Sequence, residues 1–133
     1  VATTVTTFAE LNTALRAADD RAANTGAIEI VVSGTIAATA DLTAVNLRAG
    51  NTLLIRGTNG GTLDGGRTHR GLFVYSGTVT IQDLTIQNAS AVGGAGGLGG
   101  GGGAGLGGGL FVAADTAHGA TAGHVTLSNV SFT

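Results

Sequence analysis

The stretch Thr78-Val-Thr-Ile-Gln-Asp-Leu-Thr-Ile-Gln-Asn88 decides the fold. Its apolar residues form two alternating runs, and these residues are Val79, Ile81, Leu84 and Ile86. Strict alternation predicts a strand with one buried face. The extra residue at Gln82-Asp83 restores the inward phase after a corner. The stretch is therefore predicted to be two short strands joined at a bend.

The same pattern returns near the end of the sequence as His124-Val-Thr-Leu-Ser-Asn-Val-Ser-Phe-Thr133. Each apolar position there lies 46 residues after its counterpart in 78–88. Comparable inward positions follow one another at intervals of 25, 26 and 46 residues, and they are Ile28, Leu53, Val79 and Val125. Steps of roughly 20 to 30 residues are typical of one three-stranded coil of a solenoid. The sequence therefore predicts an all-β solenoid of about 3–4 coils over residues 27–133.

A helix is predicted ahead of these strands, over residues 8–22. Thr7 and Glu10 have the spacing of a capping box, in which each side chain bonds the backbone N–H of the other residue. One apolar stripe follows at helical spacing, formed by Phe8, Leu11, Leu15, Ala18 and Ala22. Because an uncovered strand edge promotes aggregation, the helix is predicted to cap the first coil.

A glycine-rich insertion occupies residues 91–109. Glycine offers no side chain to bury, so the segment is predicted to be a flexible excursion at one corner. The alternative is a packed glycine-rich element anchored by Leu98 and Leu106. Leu110-Phe-Val112 then repeats Leu72-Phe-Val74 and predicts a return to the same strand position. Residues 1–133 thus form one predicted domain, interpreted as the N-terminal piece of a longer chain.

Composition excludes several partners and cofactors. Charged residues make up 11% of the chain and the net charge is −2, which argues against nucleic acid and anionic membranes. No apolar run approaches the roughly 20 residues of a spanning helix, so no membrane insertion of this segment is predicted. The G-x-G-x-x-G matches of the glycine tract do not open a helix in a βαβ unit. No cofactor, metal or catalytic residue is predicted.

One dense polar cluster stands out, the loop Asp64-Gly-Gly-Arg-Thr-His-Arg70. The candidate ligand-binding residues are Arg56, Asp64, Arg67, His69 and Arg70. Arginine forms bidentate contacts with carboxylates, so a groove for an anionic sugar is one interpretation of these residues. The alternative is a solvated corner loop with no ligand.

The sequence also resembles a known class of proteins. Ile28-Glu-Ile-Val-Val-Ser-Gly-Thr-Ile36 and Gly61-Thr-Leu-Asp-Gly65 are similar to the N-terminal part of pectate-lyase-like β-helix proteins. The stretches 71–88, 107–112 and 125–132 resemble bacterial autotransporter passengers. The resemblance implies a right-handed parallel β-helix, secreted after removal of a signal peptide and located outside or on the surface of a Gram-negative bacterium. The pectate-lyase catalytic pattern has no assignable counterpart here, so no enzymatic activity is predicted.

The predicted function is that of a structural, adhesive segment of a surface-displayed passenger. Its expected partners are glycans or proteins of host or cell surfaces. One alternative is a β-helix that binds or cleaves polysaccharide through the loop 64–70. The other is a folding or assembly module that self-associates through an uncapped C-terminal coil.

Overall fold

The computed structural model describes residues 2–40, 42–89, 110–112 and 123–133. The glycine-rich insertion at 91–109, with its two alternative interpretations, lies outside these residues. The elements, in chain order, are β1 (Ala2–Val5), α1 (Phe8–Asp20), β2 (Ala27–Ala37), β3 (Val45–Asn46), β4 (Thr52–Asp64), β5 (Leu72–Ser76), β6 (Thr78–Gln82), β7 (Thr85–Gln87), β8 (Leu110–Val112), β9 (His124–Ser128) and β10 (Ser131–Phe132).

The strands form two sheets in which the pairings are parallel. The first sheet has the order β1-β2-β4-β6-β9, and its second part is made by β7, which pairs with the end of β4 and with β10. The second sheet has the order β3-β5-β8. Strands predominate and α1 is short, which is compatible with the predicted all-β class.

The register of the first sheet is the predicted one. Ile28 is opposite Leu53, Leu53 is opposite Val79, and Val79 is opposite Val125. The inward positions along β6 and β7 are almost completely buried. Burial of one face fixes a register, because a slip by one residue would turn every apolar side chain to solvent.

The corner at residues 59–61 lies inside a strand and does not separate two strands. β4 continues through it as one strand, with a shift in its register against β2. Asn59 and Gly60 adopt positive φ values of 52° and 72°, which bend the chain locally. Pairing then resumes with Thr62 opposite Thr35. β4 is thus paired with β2 on both sides of the bend.

Helix α1 has the predicted start. The Thr7 hydroxyl accepts the Glu10 N–H at 3.2 Å, and the Glu10 carboxylate accepts the N–H of Thr7 at 3.2 Å. A further N–H, from Thr6, reaches the same carboxylate and lowers the pKa of Glu10. Leu11, Leu15 and Ala18 are buried, as the apolar stripe predicts.

The predicted end of the helix at residue 22 is wrong, because α1 ends at Asp20 and Ala22 is exposed. The cause is the buried Asn51, which lies at the turn before β4. Its Nδ2 donates to the carbonyl oxygens of Arg21 and Ala22, at 3.4 and 2.9 Å. Its Oδ1 accepts the N–H of Thr25 at 2.8 Å. A side chain from the next turn therefore takes the groups that would extend the helix.

Asp19, in the last turn of α1, gives a testable pH dependence. Burial raises its pKa from 3.8 to about 6, with a further contribution from the charge of Asp20, while the Asn46 N–H at 2.7 Å opposes the rise. A carboxyl whose pKa is higher in the folded state favours folding most when protonated, so this contribution is lost as the pH rises from about 4 to 6. Since Asp19 is partly exposed, solvent screening reduces the effect.

We therefore expect Asp19→Asn to raise the free energy of unfolding by about 1 kcal/mol at pH 7 and to change it little at pH 4. Urea denaturation of both proteins at the two pH values measures this difference. Asp20→Asn is the control, because it removes an exposed charge from the same helical turn. Equal gains for the two variants would show that the helix dipole, and not burial of Asp19, is responsible.

Candidate functional site

The candidate site is the loop that follows β4, from Asp64 to Arg70. The loop closes on itself, because the N–H groups of Thr68 and His69 donate to the carbonyl oxygen of Gly65 at 3.2 and 3.0 Å. A Cβ atom at Gly65 would lie 2.5 Å from the His69 carbonyl oxygen, so only glycine fits there. The sequence therefore builds a compact corner and holds it close to the end of β4.

The Asp64 carboxylate is held by groups of the fold itself. Its Oδ1 accepts the Gly66 N–H at 2.8 Å and the Asn88 amide at 3.3 Å, and its Oδ2 accepts the Gln87 amide at 3.1 Å. The Gly66 N–H, then the amides of Gln87 and Asn88, and the charge of Arg67 lower the pKa of Asp64. An ionised carboxylate bonded on both oxygens links the end of β4 to the end of β7 and is poorly suited to donate a proton.

Arg67 is the exposed cation of the loop. Its backbone has a positive φ of 65°, and its N–H donates to the Asn88 carbonyl oxygen at 2.7 Å. A left-handed conformation at a residue other than glycine is costly, and this hydrogen bond helps to hold it. The loop thus keeps an arginine at the surface beside the ionised Asp64.

Arg70 lies against the outer face of the second sheet. Its Nη2 donates to the Leu42 carbonyl oxygen at 2.9 Å, and its guanidinium carbon lies 5.3 Å from the centre of the Phe73 ring. Phe73 stacks on Tyr75, with 5.7 Å between ring centres and 22° between ring planes. Tyr75 is 41% exposed. Arg70, Phe73 and Tyr75 form a row that we call the aromatic row.

The structure brings four of the five predicted residues to one corner and places the fifth elsewhere. Asp64, Arg67, His69 and Arg70 share the loop, where His69 is half-buried. Arg56 lies in the first half of β4, on the other side of the bend at 59–61, and its Nη2 is 3.1 Å from the Glu29 carboxylate. Arg56 is thus paired across the first sheet, where it faces Gln82 in the register.

Sequence reasoning missed the amides that bind Asp64 and the aromatic row. The predicted spacing gave no signal for the amides, because the register of β4 before the bend, with Thr52 opposite Thr78, changes after it and only then places Asp64 opposite Gln87. The signal for the aromatic row was the alternation in Leu72-Phe-Val-Tyr75, which turns Phe73 and Tyr75 to the same outer face.

The corner between β6 and β7 lies next to the corner between β9 and β10, and their turn residues are stacked. Asp83 and Asn129 both have left-handed backbones, with φ values of 55° and 54°. The Asn129 amide donates to the Asp83 carboxylate at 2.9 Å. Short polar side chains tolerate this conformation, so the pair has a structural role.

A cleft of about 490 Å³ lies away from this loop, between α1 and the strands β1 and β2. Its walls are mostly apolar, and its charged residues are Glu10 and Arg21. The Glu10 carboxylate is already bonded to Thr6 and Thr7. The cleft is therefore a mainly apolar cavity, and the carboxylate that lines it is already hydrogen-bonded within the protein.

Within the described parts of the chain, no three His, Cys, Asp or Glu residues come together as metal ligands. No helix found there is long and apolar enough to cross a membrane. Comparison of the sequence and structure with family models, with curated proteins and with solved structures gave no match, so the residues themselves must carry the functional argument.

Proposed function

We propose that this chain is a structural, non-catalytic segment of a secreted or surface-displayed protein, folded as a right-handed parallel β-helix. The observation that carries the proposal is the unbroken inward stack. Parallel strands lie in register at steps of 25, 26 and 46 residues, and the inward side chains form a continuous aliphatic core. A stack of this kind makes a stiff body, which suits projection of corners and loops from a surface.

The state of the charged residues supports a structural role. Glu29 is paired with Arg56, and Asp64 is bonded to the next corner. Glu10 belongs to the capping box of α1. General acid–base chemistry needs a titratable group in reach of a substrate proton, whereas these carboxylates bond protein donors.

A second candidate, glycan binding, is favoured by the aromatic row. An exposed aromatic ring offers an apolar face and, in Tyr75, a hydroxyl group. Arg67 adds an exposed cation on the adjoining loop, suited to a carboxylate of an acidic sugar. An acidic polysaccharide lying along this surface would meet both groups.

Calorimetric titration with polygalacturonate and with a neutral glucan tests both candidates. The structural proposal predicts no saturable binding and no change in polymer length after long incubation. Saturable binding that is lost in Arg67→Ala/Tyr75→Ala would establish the second candidate instead. Arg48→Ala is the matched control, because it removes an exposed arginine from the turn before β4. A crystal structure with coils of the opposite hand would overturn the proposed β-helix.

A further inference from the structure

Two dipeptides in β4 and the loop after it have the composition that favours closure of a succinimide ring in the backbone. Asn59 is followed by Gly60, and Asp64 is followed by Gly65, and no other Asn or Asp of the chain precedes a glycine. Because glycine has no Cβ atom, its backbone nitrogen can approach the carbonyl carbon of the preceding side chain with little steric hindrance. The two dipeptides differ in their surroundings.

Asn59 and Gly60 are both exposed and lie between two paired parts of β4. Among the described residues, pairing with β2 stops at Thr58 and resumes at Thr62. The Asn59 amide donates from Nδ2 to the Ser33 hydroxyl at 3.0 Å, and a neutral hydrogen bond at the surface is easily exchanged for water. A Cβ atom at Gly60 would have no atom within 4 Å. The peptide unit between Asn59 and Gly60 therefore has room to rotate.

Asp64 and Gly65, by contrast, are held by hydrogen bonds on both groups that would have to react. The Asp64 carboxylate accepts the Gly66 N–H and the side-chain amides of Gln87 and Asn88. Gly65 is buried, and its N–H donates to the Gln87 carbonyl oxygen at 2.9 Å. The Gly65 nitrogen therefore cannot reach the Asp64 carboxyl carbon until these contacts open. The same hydrogen bonds favour the ionised carboxylate, which is a poor electrophile.

We propose that Asn59 is a site of spontaneous deamidation in the folded protein, and that the fold protects Asp64 from the equivalent isomerisation. The Gly60 nitrogen attacks the Asn59 Cγ atom and forms the ring. The bond between Cγ and Nδ2 then breaks, and Nδ2 leaves as ammonia with the proton that the Gly60 nitrogen gives up. Water opens the ring at either carbonyl carbon and leaves aspartate or isoaspartate at position 59. Water is the only co-reactant.

The position of the bend determines what the reaction does to the fold. Either product replaces a neutral amide with a carboxylate at an exposed corner. Isoaspartate also carries the main chain through its side-chain carbon, which lengthens the backbone by a methylene group. Because the bend lies between Thr58 and Thr62, the added group falls outside the paired parts of β4. We therefore expect the converted chain to stay folded and to accumulate as a more acidic form.

Trypsin provides the assay, because cleavage after Arg56 and Arg67 releases both dipeptides in one peptide, 57–67. The folded protein is incubated at mildly alkaline pH and digested, and electron-transfer mass spectrometry locates deamidation and isoaspartate within the peptide. A synthetic 57–67 peptide, incubated in parallel, gives both rates without the fold. We expect Asn59 to convert within about tenfold of its rate in the peptide, and Asp64 to isomerise at least about tenfold more slowly than in the peptide, since its hydrogen bonds must open first.

Asn59→Gly is the matched control, because glycine readily adopts the positive φ of this position and lacks the amide. The variant should lose the small mass gain that exchange of NH2 for OH produces in peptide 57–67, and circular dichroism checks that it is folded. A folded chain in which Asn59 stays intact while the synthetic peptide converts overturns the proposal. So does isomerisation of Asp64 at equal rates in the folded protein and the peptide, or a mass gain that persists in Asn59→Gly.

Discussion

Ile81→Ala is expected to lower the free energy of unfolding by about 2–5 kcal/mol, the range for removing a large aliphatic side chain from a core that cannot collapse around the cavity. Ile81 is fully buried in the column between Ile55 and Leu127. The strand ladders on both sides hold the backbone, so neighbouring side chains cannot close the space. Urea denaturation followed by circular dichroism measures the loss.

Leu127→Ala is the control for this prediction, because Leu127 occupies the same column one strand further along. Its side chain is 42% exposed, so its removal should lower the free energy of unfolding by about 1 kcal/mol or less. A similar loss in both variants would contradict the exposure of Leu127 on β9. The comparison thus tests whether the buried core reaches only to β6 or extends to β9.

Gly77→Ala is expected to destabilise the protein by about 3–5 kcal/mol, from backbone strain and overpacking together. Gly77 has a φ of +100°, in the left-handed region. A Cβ atom there would lie 2.6 Å from the Cβ and 2.8 Å from the Cδ1 of Leu47. Leu47 is buried in the core, so it cannot move aside cheaply.

Gly26→Ala separates these two costs. Gly26 has nearly the same φ, +101°, but a Cβ atom there would meet no atom within 4 Å. Gly26→Ala should therefore lower the free energy of unfolding by the backbone strain alone, about 1–2 kcal/mol. Chemical denaturation of both variants measures the difference. Equal losses would show that contact with Leu47 adds nothing, and that Leu47 packs less closely against the turn before β6 than described.

The register was predictable because few alternatives satisfy the sequence. Val79 and Ile81 must face inward together, and the only later stretch with the same alternation and corner is 124–132. Parallel pairing of the two follows from that constraint, with Asp83 stacked on Asn129. The start of α1 was equally clear, since the capping box at Thr7 and Glu10 is a local signal.

The end of α1 and the use of the loop were not predictable in the same way. Arg21 and Ala22 have good helix propensity, and what stops the helix is Asn51, which is distant in sequence. The charges of the loop 64–70 suggested a ligand, but composition cannot tell whether a carboxylate is occupied by its own protein. Asp64 is bonded to side chains more than 20 residues later. Such long-range contacts determine whether a charged side chain of the loop is available to a ligand or is bound by its own protein.

The aromatic row also allows unfolding of the protein to be followed by its intrinsic fluorescence. The chain has one Tyr and no Trp, so Tyr75 is its single intrinsic emitter of that kind. Tyr75 stacks on Phe73 in the second sheet, whereas circular dichroism averages over all strands. Emission that changes before the dichroism during denaturation would show that β5 separates first, and coincident curves would show that both sheets unfold together. Tyrosine emission thus shows whether the two sheets unfold cooperatively, without an added label.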